Sequence, residues 1–310
     1  MCGRSCMTLD PNEIVCACKY KVDKDEELKK PAYRNEYNLG KKYKPSYNIA
    51  PTDICPIIVS SKHFDDDEIS SDRTVVPALW SLIPKWHKGD YRKHGLTTNN
   101  ARLEGLTDSK LYKPLLDRGK RCVMVIEGFY EWQTTNPKAK SSERQVYFVH
   151  MPQDDKIKIE DKSSWTSCED VKLMYIAGLF DVWNDENGDS IYSFTIITYE
   201  SDKFFNSIHH RTPAILETEE QICSWLDFEH VSSNEALKMI RQPKITMWYQ
   251  VSSYLNSTKN KSDQCNKPLN YKPKTFRKSS ILNFVTKRPE TSVKKEDDSP
   301  EKSPKRQKLN

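Results

Sequence analysis

The sequence predicts an α+β protein with a mostly antiparallel β body, a few short helices and a disordered basic tail. Short runs rich in Val, Ile, Tyr and Phe recur along the chain, and no regular helical crossovers separate them, which predicts the body. From about residue 270 the composition changes to Lys, Ser, Pro, Thr and Asp with few large apolar residues, which predicts the tail. We therefore expect one domain over residues 1–265 and a tail over residues 266–310.

Six apolar runs have the length and composition of strands. They cover residues 75–82, 122–126, 146–149, 173–180, 193–198 and 246–251. Three polar stretches between them show no core-facing period, so we expect solvated loops there. These stretches cover residues 21–34, 65–73 and 153–169.

Helix signals occur in three segments. Residues 218–227 begin Thr-Glu-Glu-Gln, the pattern of a capping box, and place Trp225 and Leu226 on one stripe. Residues 232–240 begin Ser-Ser-Asn-Glu, which predicts a second capped helix. Residues 201–208 are a third helical candidate.

The formal charge of +5 is unevenly distributed along the chain. Residues 266–310 hold 13 basic and 5 acidic side chains, net +8, whereas residues 1–265 hold 36 basic and 39 acidic ones, net −3. A nucleic-acid role for the body must therefore depend on locally placed residues rather than on bulk charge. No window approaches the ~18 consecutive apolar residues of a membrane span. The start lacks a targeting pattern, so we expect a cytosolic or nuclear protein with no membrane partner.

The nine cysteines indicate neither a disulfide framework nor a zinc ribbon, because their number is odd and no Cys-x-x-Cys spacing occurs. Most of them are expected to be small buried side chains in a reducing compartment. Cofactors and metals are both expected to be absent.

Cys2 follows the initiator methionine, whose removal is favoured when the second residue is small. Removal would leave a free α-amine, with an ordinary pKa of about 7.7–8.0, two carbons from a thiol of about 8.5. Such an aminothiol condenses with an aldehyde to a Schiff base and then closes a five-membered thiazolidine ring. This chemistry predicts an aldehyde or acyl target. Taken alone, the position also fits an ordinary second residue.

Glu131 lies between Tyr130 and Trp132, directly after the apolar run 122–126. Desolvation of this carboxyl would raise its pKa toward neutrality and suit it to general acid and base catalysis. The alternative is an exposed glutamate on an edge strand, between two aromatic residues that point inward.

Two further polar clusters interrupt apolar contexts. His209 and His210 precede Arg211, which indicates a proton relay or a phosphate-facing site, and only one of the adjacent imidazoles is expected to face it. Zinc is not expected there, because no further ligand stands at a suitable spacing. Asn100 and Arg102 could orient a sugar and a phosphate, or could belong to a capped loop that enters a helix.

Six motifs together resemble the SOS-response-associated peptidase family, in particular its eukaryotic branch. They occur in the family's order, from residue 2 to about residue 257. They are the initial Met-Cys-Gly-Arg, Tyr-Asn-Ile-Ala-Pro (47–51), Trp-Ser-Leu-Ile-Pro-Lys-Trp (80–86), Asn-Ala-Arg (100–102), Gly-Phe-Tyr-Glu-Trp (128–132) and Ile-His-His-Arg-Thr-Pro (208–213). The resemblance implies a DNA-damage enzyme that captures abasic sites in single-stranded DNA through a thiazolidine, shielding them during replication.

The resemblance also implies a role for each matching residue. Cys2 would be the nucleophile and would also remove Met1, while Asn100 would hold the amino-terminal residue and the sugar. Glu131 would be the acid and base, and His209 would assist proton transfer and reversal of the crosslink. The implied DNA-facing residues are Arg4, Asn48, Pro51, Trp86, Arg102, Thr198 and Arg211. The exposed face of a tryptophan suits an unpaired base or a duplex end.

The sequence departs from the family pattern at two positions. Ser81 stands where the family usually has glycine, and His87 follows Trp86 where an apolar residue is expected. Two other classes of function remain open. One is a non-covalent reader of modified or forked DNA with an inert amino terminus, and the other is a protease that acts on other proteins.

The tail suggests partners of its own. Ile281 and Phe284 resemble a degenerate motif for the replication sliding clamp, although a chance match is the alternative. Basic clusters at 287–288 and 303–308 are typical of nuclear import or of nonspecific attraction to DNA. We expect a monomeric nuclear protein at replication forks.

Overall fold

The computed structural model describes residues 2–21, 27–34, 38–65, 70–135, 140–203, 205–241 and 246–270. All of them belong to one compact unit. Regular packing continues a few residues past position 265, since Asn266 is fully buried and Pro268 bridges to Val251. Ile281 and Phe284 lie outside the described residues, so the clamp motif stays a prediction.

The described residues form fourteen strands and four α-helices. The strands are β1 (Ser5–Met7), β2 (Ala32–Tyr33), β3 (Ser46–Ile49), β4 (Ile54–Ser60), β5 (Arg73–Trp80), β6 (Asn100–Arg102), β7 (Arg121–Ile126), β8 (Gly128–Trp132), β9 (Val146–His150), β10 (Met174–Asn184), β11 (Ser190–Glu200), β12 (Arg211–Pro213), β13 (Ile215–Leu216) and β14 (Met247–Val251). The helices are α1 (Pro11–Ala17), α2 (Lys113–Asp117), α3 (Glu219–Leu226) and α4 (Ser233–Lys238). Among the described segments, no helix is long and apolar enough to cross a membrane.

Two sheets carry these strands. The smaller has the order β14-β9-β8-β1-β3, and the larger contains the path β12-β11-β10-β7-β4-β5-β2. In the larger sheet β11 also pairs with β5, through Ser193 opposite Leu79 and Phe194 opposite Trp80, so five strands close on themselves as a barrel. Most pairings are antiparallel; those of β5 with β11, β6 with β11 and β2 with β5 are parallel. The predicted fold class, a mostly antiparallel α+β body with few helices, is confirmed.

The six predicted apolar runs all lie in strands, namely β5, β7, β9, β10, β11 and β14. The helices predicted over 218–227 and 232–240 are α3 and α4, and Thr218 and Ser232 form their capping boxes. The helix predicted over 201–208 is wrong: the described part of that segment contains a single 3-10 turn, Phe205–Ser207. Pairing of Glu200 with Arg211 makes the segment a short connection between two strands.

Part of the predicted loop 153–169 is also buried, because Ile159 packs in the core. The loop predictions over 21–34 and 65–73 likewise include strand residues, since β2 lies in the first and β5 begins at the end of the second. In each case the apolar residues that join the core are too few to create a visible period.

β8 holds the centre of the smaller sheet, between β1 and β9. Gly128 permits its close approach to β9, because a Cβ at this position would lie 2.5 Å from the Phe148 ring and from the Val149 carbonyl oxygen. The pairing of Ser5 with Phe129 places the amino-terminal segment directly alongside β8.

Candidate active site

Glu131 projects from the interior of β8. Neighbouring residues of a strand point to opposite faces. Tyr130 packs on Phe148 and donates its hydroxyl proton to the Tyr47 carbonyl 2.7 Å away. Glu131 is only 2% exposed on the other face. The alternative of an exposed edge glutamate is therefore wrong.

Burial raises the pKa of Glu131 to about 7, while the positive charge of the amino terminus acts in the opposite direction. The cause is desolvation, because a carboxylate loses its hydration shell in this environment. Near neutral pH this carboxyl exists in both protonation states in comparable amounts. It is therefore able to donate a proton in one step and to accept one in the next.

Cys2 is almost completely buried and lies close enough to Glu131 for their charges to interact. Burial raises the pKa of its thiol well above the ordinary range, and the Glu131 charge raises it further. The thiol is protonated at neutral pH in this state, so a reaction at sulfur needs a base. Glu131 is a carboxyl close enough to act on this thiol through its charge.

Asn100 positions the backbone of Cys2, because its Nδ2 donates to the Cys2 carbonyl oxygen over 2.9 Å. It begins β6, which pairs with β11 through Asn100 opposite Ile196. The segment before β6 is held by the Trp80 indole, which donates to the Asn99 carbonyl over 2.9 Å. Asn100 thus begins a paired strand rather than a capped loop that enters an α-helix.

His209 is buried with its Nε2 3.7 Å from Glu131 Oε1. Burial lowers the pKa of His209 to about 4, so the ring is neutral at pH 7. Its Nδ1 lies 3.0 Å from the Arg211 backbone nitrogen and 3.1 Å from the Arg211 carbonyl oxygen. A protonated Nδ1 can donate to the Arg211 carbonyl oxygen, and an unprotonated Nδ1 can accept from the Arg211 backbone N–H. The ring can therefore adopt either neutral tautomer without moving, which a proton relay requires. His210 is exposed, which leaves one imidazole facing the site, as expected.

The family model for SOS response associated peptidase (SRAP) matches residues 1–258. The chain belongs to the SRAP family. It is 40% identical over 267 residues to the abasic site processing protein HMCES of Xenopus tropicalis, covering 86% of this chain and 77% of the relative. It is 33% identical over 226 residues to the abasic site processing protein YoqW of Bacillus subtilis, covering 72% and 85%.

Solved structures support the SRAP fold. A crystal structure of a protein from Bacteroides thetaiotaomicron superposes with a TM-score of 0.62, at 19% identity, over 86% of this chain and all of that chain. A second, from Bordetella bronchiseptica, superposes with a TM-score of 0.56 at 14% identity, over 81% of this chain and all of that one. At these identities the likeness concerns the fold alone.

Three of the DNA-facing residues implied by SRAP membership reach the surface. Trp86 is 66% exposed, Arg102 is exposed and Pro51 is half-buried. His87, the departure after Trp86, has a structural role, because its Nε2 lies 2.8 Å from the Asp90 carbonyl oxygen. Its own carbonyl accepts a hydrogen bond from the Trp183 indole, so the loop holds Trp86 outward.

Ser81, the other departure, makes a 3.0 Å hydrogen bond with the Thr98 hydroxyl. This contact ties the end of β5 to the segment that precedes Asn100. Leu96 lies between His87 and Thr98 and is 47% exposed. It was not identified from the sequence as an exposed apolar residue. Its position in a polar stretch offered no apolar pattern that could have identified it.

Arg4 and Asn48 have internal partners instead. The Arg4 guanidinium donates to Asn48 Oδ1 over 3.0 Å and to the carbonyls of Leu255 and Asn256. Asn48 is fully buried, and its amide donates to the carbonyls of Leu255, Ser257 and Asn260. The buried Asn48 side chain therefore fastens the segment 255–260 to β3, and its contact with DNA stays a prediction.

Arg211 and Thr198 are also buried, at 6% and 0% exposure. Arg211 forms a bidentate pair with Glu104, at 2.5 Å and 3.1 Å, and donates to the Thr198 carbonyl over 2.7 Å. The structure places Thr198 behind Arg211 rather than on the surface, and its contact with DNA stays a prediction. Phosphate binding by Arg211 would require Glu104, which is exposed, to move aside.

Glu127 is a buried carboxylate that the sequence reasoning missed. Its Oε1 accepts hydrogen bonds from the Thr8 amide and hydroxyl, each 2.6 Å long, and Cys6 Sγ lies 3.2 Å from its Oε2. It fastens the segment after β1 to the turn between β7 and β8. No cluster suited to a metal ion occurs among the residues that the structure describes.

Proposed function

We propose that this protein captures abasic sites in single-stranded DNA as a covalent adduct of Cys2 and shields these lesions during replication in the nucleus. Relatives named abasic site processing protein support this choice of substrate. The observation that carries the proposal is the buried Glu131 carboxyl, with a pKa of about 7, beside Cys2 and 3.7 Å from His209.

Removal of Met1 comes first. The Cys2 thiol attacks the Met1 carbonyl carbon, the C–N bond breaks, and the resulting thioester is hydrolysed by one water molecule. Glu131 takes the thiol proton as a carboxylate and returns a proton to the departing amine. The products are free methionine and a protein that begins with the Cys2 aminothiol.

Capture then follows without oxidation or reduction. The Cys2 amine attacks the aldehyde carbon of the ring-opened deoxyribose, and Glu131 in its protonated form helps the oxygen to leave as water. The thiol adds to the same carbon of the Schiff base, its proton passing through the Glu131 carboxylate to nitrogen. One C–N and one C–S bond form, one water is released, and a thiazolidine results.

Neighbouring residues guide this sequence. Asn100 holds the Cys2 carbonyl, which fixes the direction in which sulfur and nitrogen face the aldehyde. His209 exchanges protons with Glu131 and, by returning a proton to the ring nitrogen or sulfur, assists reversal of the crosslink. Trp86 and Arg102 provide a stacking face and a phosphate contact at the surface.

Incubation of the purified protein with abasic single-stranded DNA tests the proposal. We expect an adduct that survives denaturing electrophoresis, and an intact mass that lacks Met1. DNA whose aldehyde is capped beforehand with an alkoxyamine should form none, which separates capture from non-covalent reading of modified or forked DNA. Equal binding of capped and uncapped DNA without any adduct would favour the non-covalent reader.

The Glu104–Arg211 pair supports a further prediction about DNA affinity. A bidentate carboxylate occupies the donors that a phosphate would use. Replacing Glu104 with Gln should therefore tighten non-covalent binding of intact single-stranded DNA about 5-fold near 0.1 M salt and steepen its salt dependence by about 0.7. Fluorescence anisotropy over a salt series measures both quantities.

Glu229→Gln is the matched control for this change, since Glu229 is also exposed and pairs with Lys62 on another part of the surface. It removes the same charge and should change the affinity little. If both variants tighten binding equally, reduced overall repulsion explains the effect and Glu104 has no special role.

A further inference from the structure

A groove with a volume of about 780 Å³ is lined by residues of β3 and of the segments on either side of it. Four lysines line it: Lys41, Lys42, Lys44 and Lys261. Asp53 is the acidic residue in its lining, and it pairs with Lys261 at 2.8 Å. The groove is thus strongly positive, on a body whose residues 1–265 carry a formal net charge of −3.

The lysines project outward because the chain between them is anchored inward. Tyr43 is buried, and its hydroxyl lies 3.0 Å from the Met7 carbonyl oxygen and 2.9 Å from that of Leu9. Lys42 and Lys44, on either side of it, are exposed. This alternation holds both ammonium groups on the solvent face of a fixed segment.

Direct contacts connect the groove to the candidate active site. Ile49, which lines the groove, pairs with Ser5 in β1, three residues after Cys2. Lys261 donates to the Asn48 carbonyl, and the Asn48 side chain accepts from Arg4. These contacts run through the interior and fix the groove to the segment that carries Cys2.

The rim of the groove carries a strained turn. Thr52 has a φ of +79°, which is unfavourable for a β-branched residue. Its amide donates to the Trp80 carbonyl over 2.7 Å, which holds the turn in place. Thr52 lines the groove, and the preceding Pro51 is a residue that the family resemblance implies to face DNA.

We propose that this groove binds the phosphates of the single-stranded DNA that flanks the abasic nucleotide, an inference that rests on the proposed function. An abasic nucleotide has no base to read or to stack, so non-covalent affinity must come from its flanks. Lysines are point charges on flexible stems and tolerate phosphates in varied positions, which suits a strand bound without regard to sequence.

The test compares the double variant Lys42→Ala, Lys44→Ala with the control Lys110→Ala, Lys238→Ala. The control lysines are equally exposed and do not line the groove. Probes are a short abasic oligonucleotide and versions extended on the 5′ or the 3′ side. The groove variant should bind one extended probe about 20-fold more weakly near 0.1 M salt, with a salt slope lower by about 1.4. Its affinity for the short probe and its adduct yield at saturation should match the wild type.

Three outcomes would overturn the groove proposal, and a fourth would count against the proposed function. Unchanged affinity of the groove variant, equal losses in the two double variants, or stronger competition by polyglutamate than by DNA would overturn it. Failure of the wild type to form any adduct would count against the proposed function alone. The groove would then still be tested by binding of intact extended DNA.

Discussion

Replacing Cys2 with alanine is expected to abolish the denaturation-resistant adduct with abasic DNA completely. Alanine is also small, so loss of Met1 by the cell's aminopeptidase remains favoured and the free α-amine is retained. That amine forms only a reversible Schiff base, because no thiol is present to close the ring. Borohydride should therefore trap an adduct of the variant, whereas without reductant denaturing electrophoresis should show none.

Cys168→Ala is the matched control, since Cys168 is a partly exposed cysteine far along the chain. It should form the adduct at the wild-type rate. A stable adduct of Cys2→Ala in the absence of reductant would exclude the thiazolidine mechanism and would point to a different nucleophile.

Glu131→Gln is expected to slow capture by about 10²–10⁴-fold, the usual contribution of a general acid and base. Glutamine preserves the shape of the side chain but can neither accept nor donate the proton that sulfur and oxygen exchange. Single-turnover rates on abasic DNA measure the loss, and intact mass shows whether Met1 is retained in protein produced without aminopeptidase.

The same variant should be more stable than the wild type at alkaline pH. The folded-state pKa of Glu131, about 7, lies above the ordinary value, so the folded protein binds this proton more tightly and loses stability as the pH rises from about 4.5 through 7. The cost of the buried charge at pH 8 is on the order of 3 kcal/mol. Thermal unfolding at pH 5 and pH 8 should show a smaller decrease for Glu131→Gln than for the wild type.

Glu127→Gln separates these effects from simple loss of a buried carboxyl. Glu127 binds Thr8 and Cys6 and lies outside the reacting groups, and glutamine keeps an oxygen that accepts from Thr8. Capture should remain within a few-fold of the wild type. Full activity of Glu131→Gln beside a normal Glu127→Gln would remove Glu131 from the chemistry.

The sequence was most informative where strands are long and apolar. β7 and β10 are buried along almost their whole length and therefore appear as unbroken apolar runs. β1, β6 and β12 were among the missed strands, because they are three residues long and contain Ser5, Asn100 or Arg211. β4 was missed as well, although its seven residues are all buried, because Pro56 interrupts its apolar run. A short strand that presents polar side chains to a site lacks the apolar run or alternation by which strands are recognised in a sequence.

The site itself was predictable in chemistry and less so in geometry. Cys2 and Glu131 were singled out by residue type and context, and the family resemblance selected His209 from the adjacent histidines; the structure places His209 and Cys2 near Glu131. The partners that the arginine side chains contact could not be predicted from the sequence. Whether Arg211 meets solvent or Glu104 depends on the register of β11 with β6 and β12, which local sequence does not specify.

The contacts of Arg4 and Asn48 with residues 255–260 have a consequence for the order of events during synthesis. Cys2 leaves the ribosome well before residues 255–260, the segment that fastens Arg4 beside it. Trimming by an aminopeptidase can act on the emerging chain, whereas chemistry that needs the finished site must wait for the complete domain. A nascent chain therefore carries Cys2 well before it carries the residues that surround Cys2 in the folded domain.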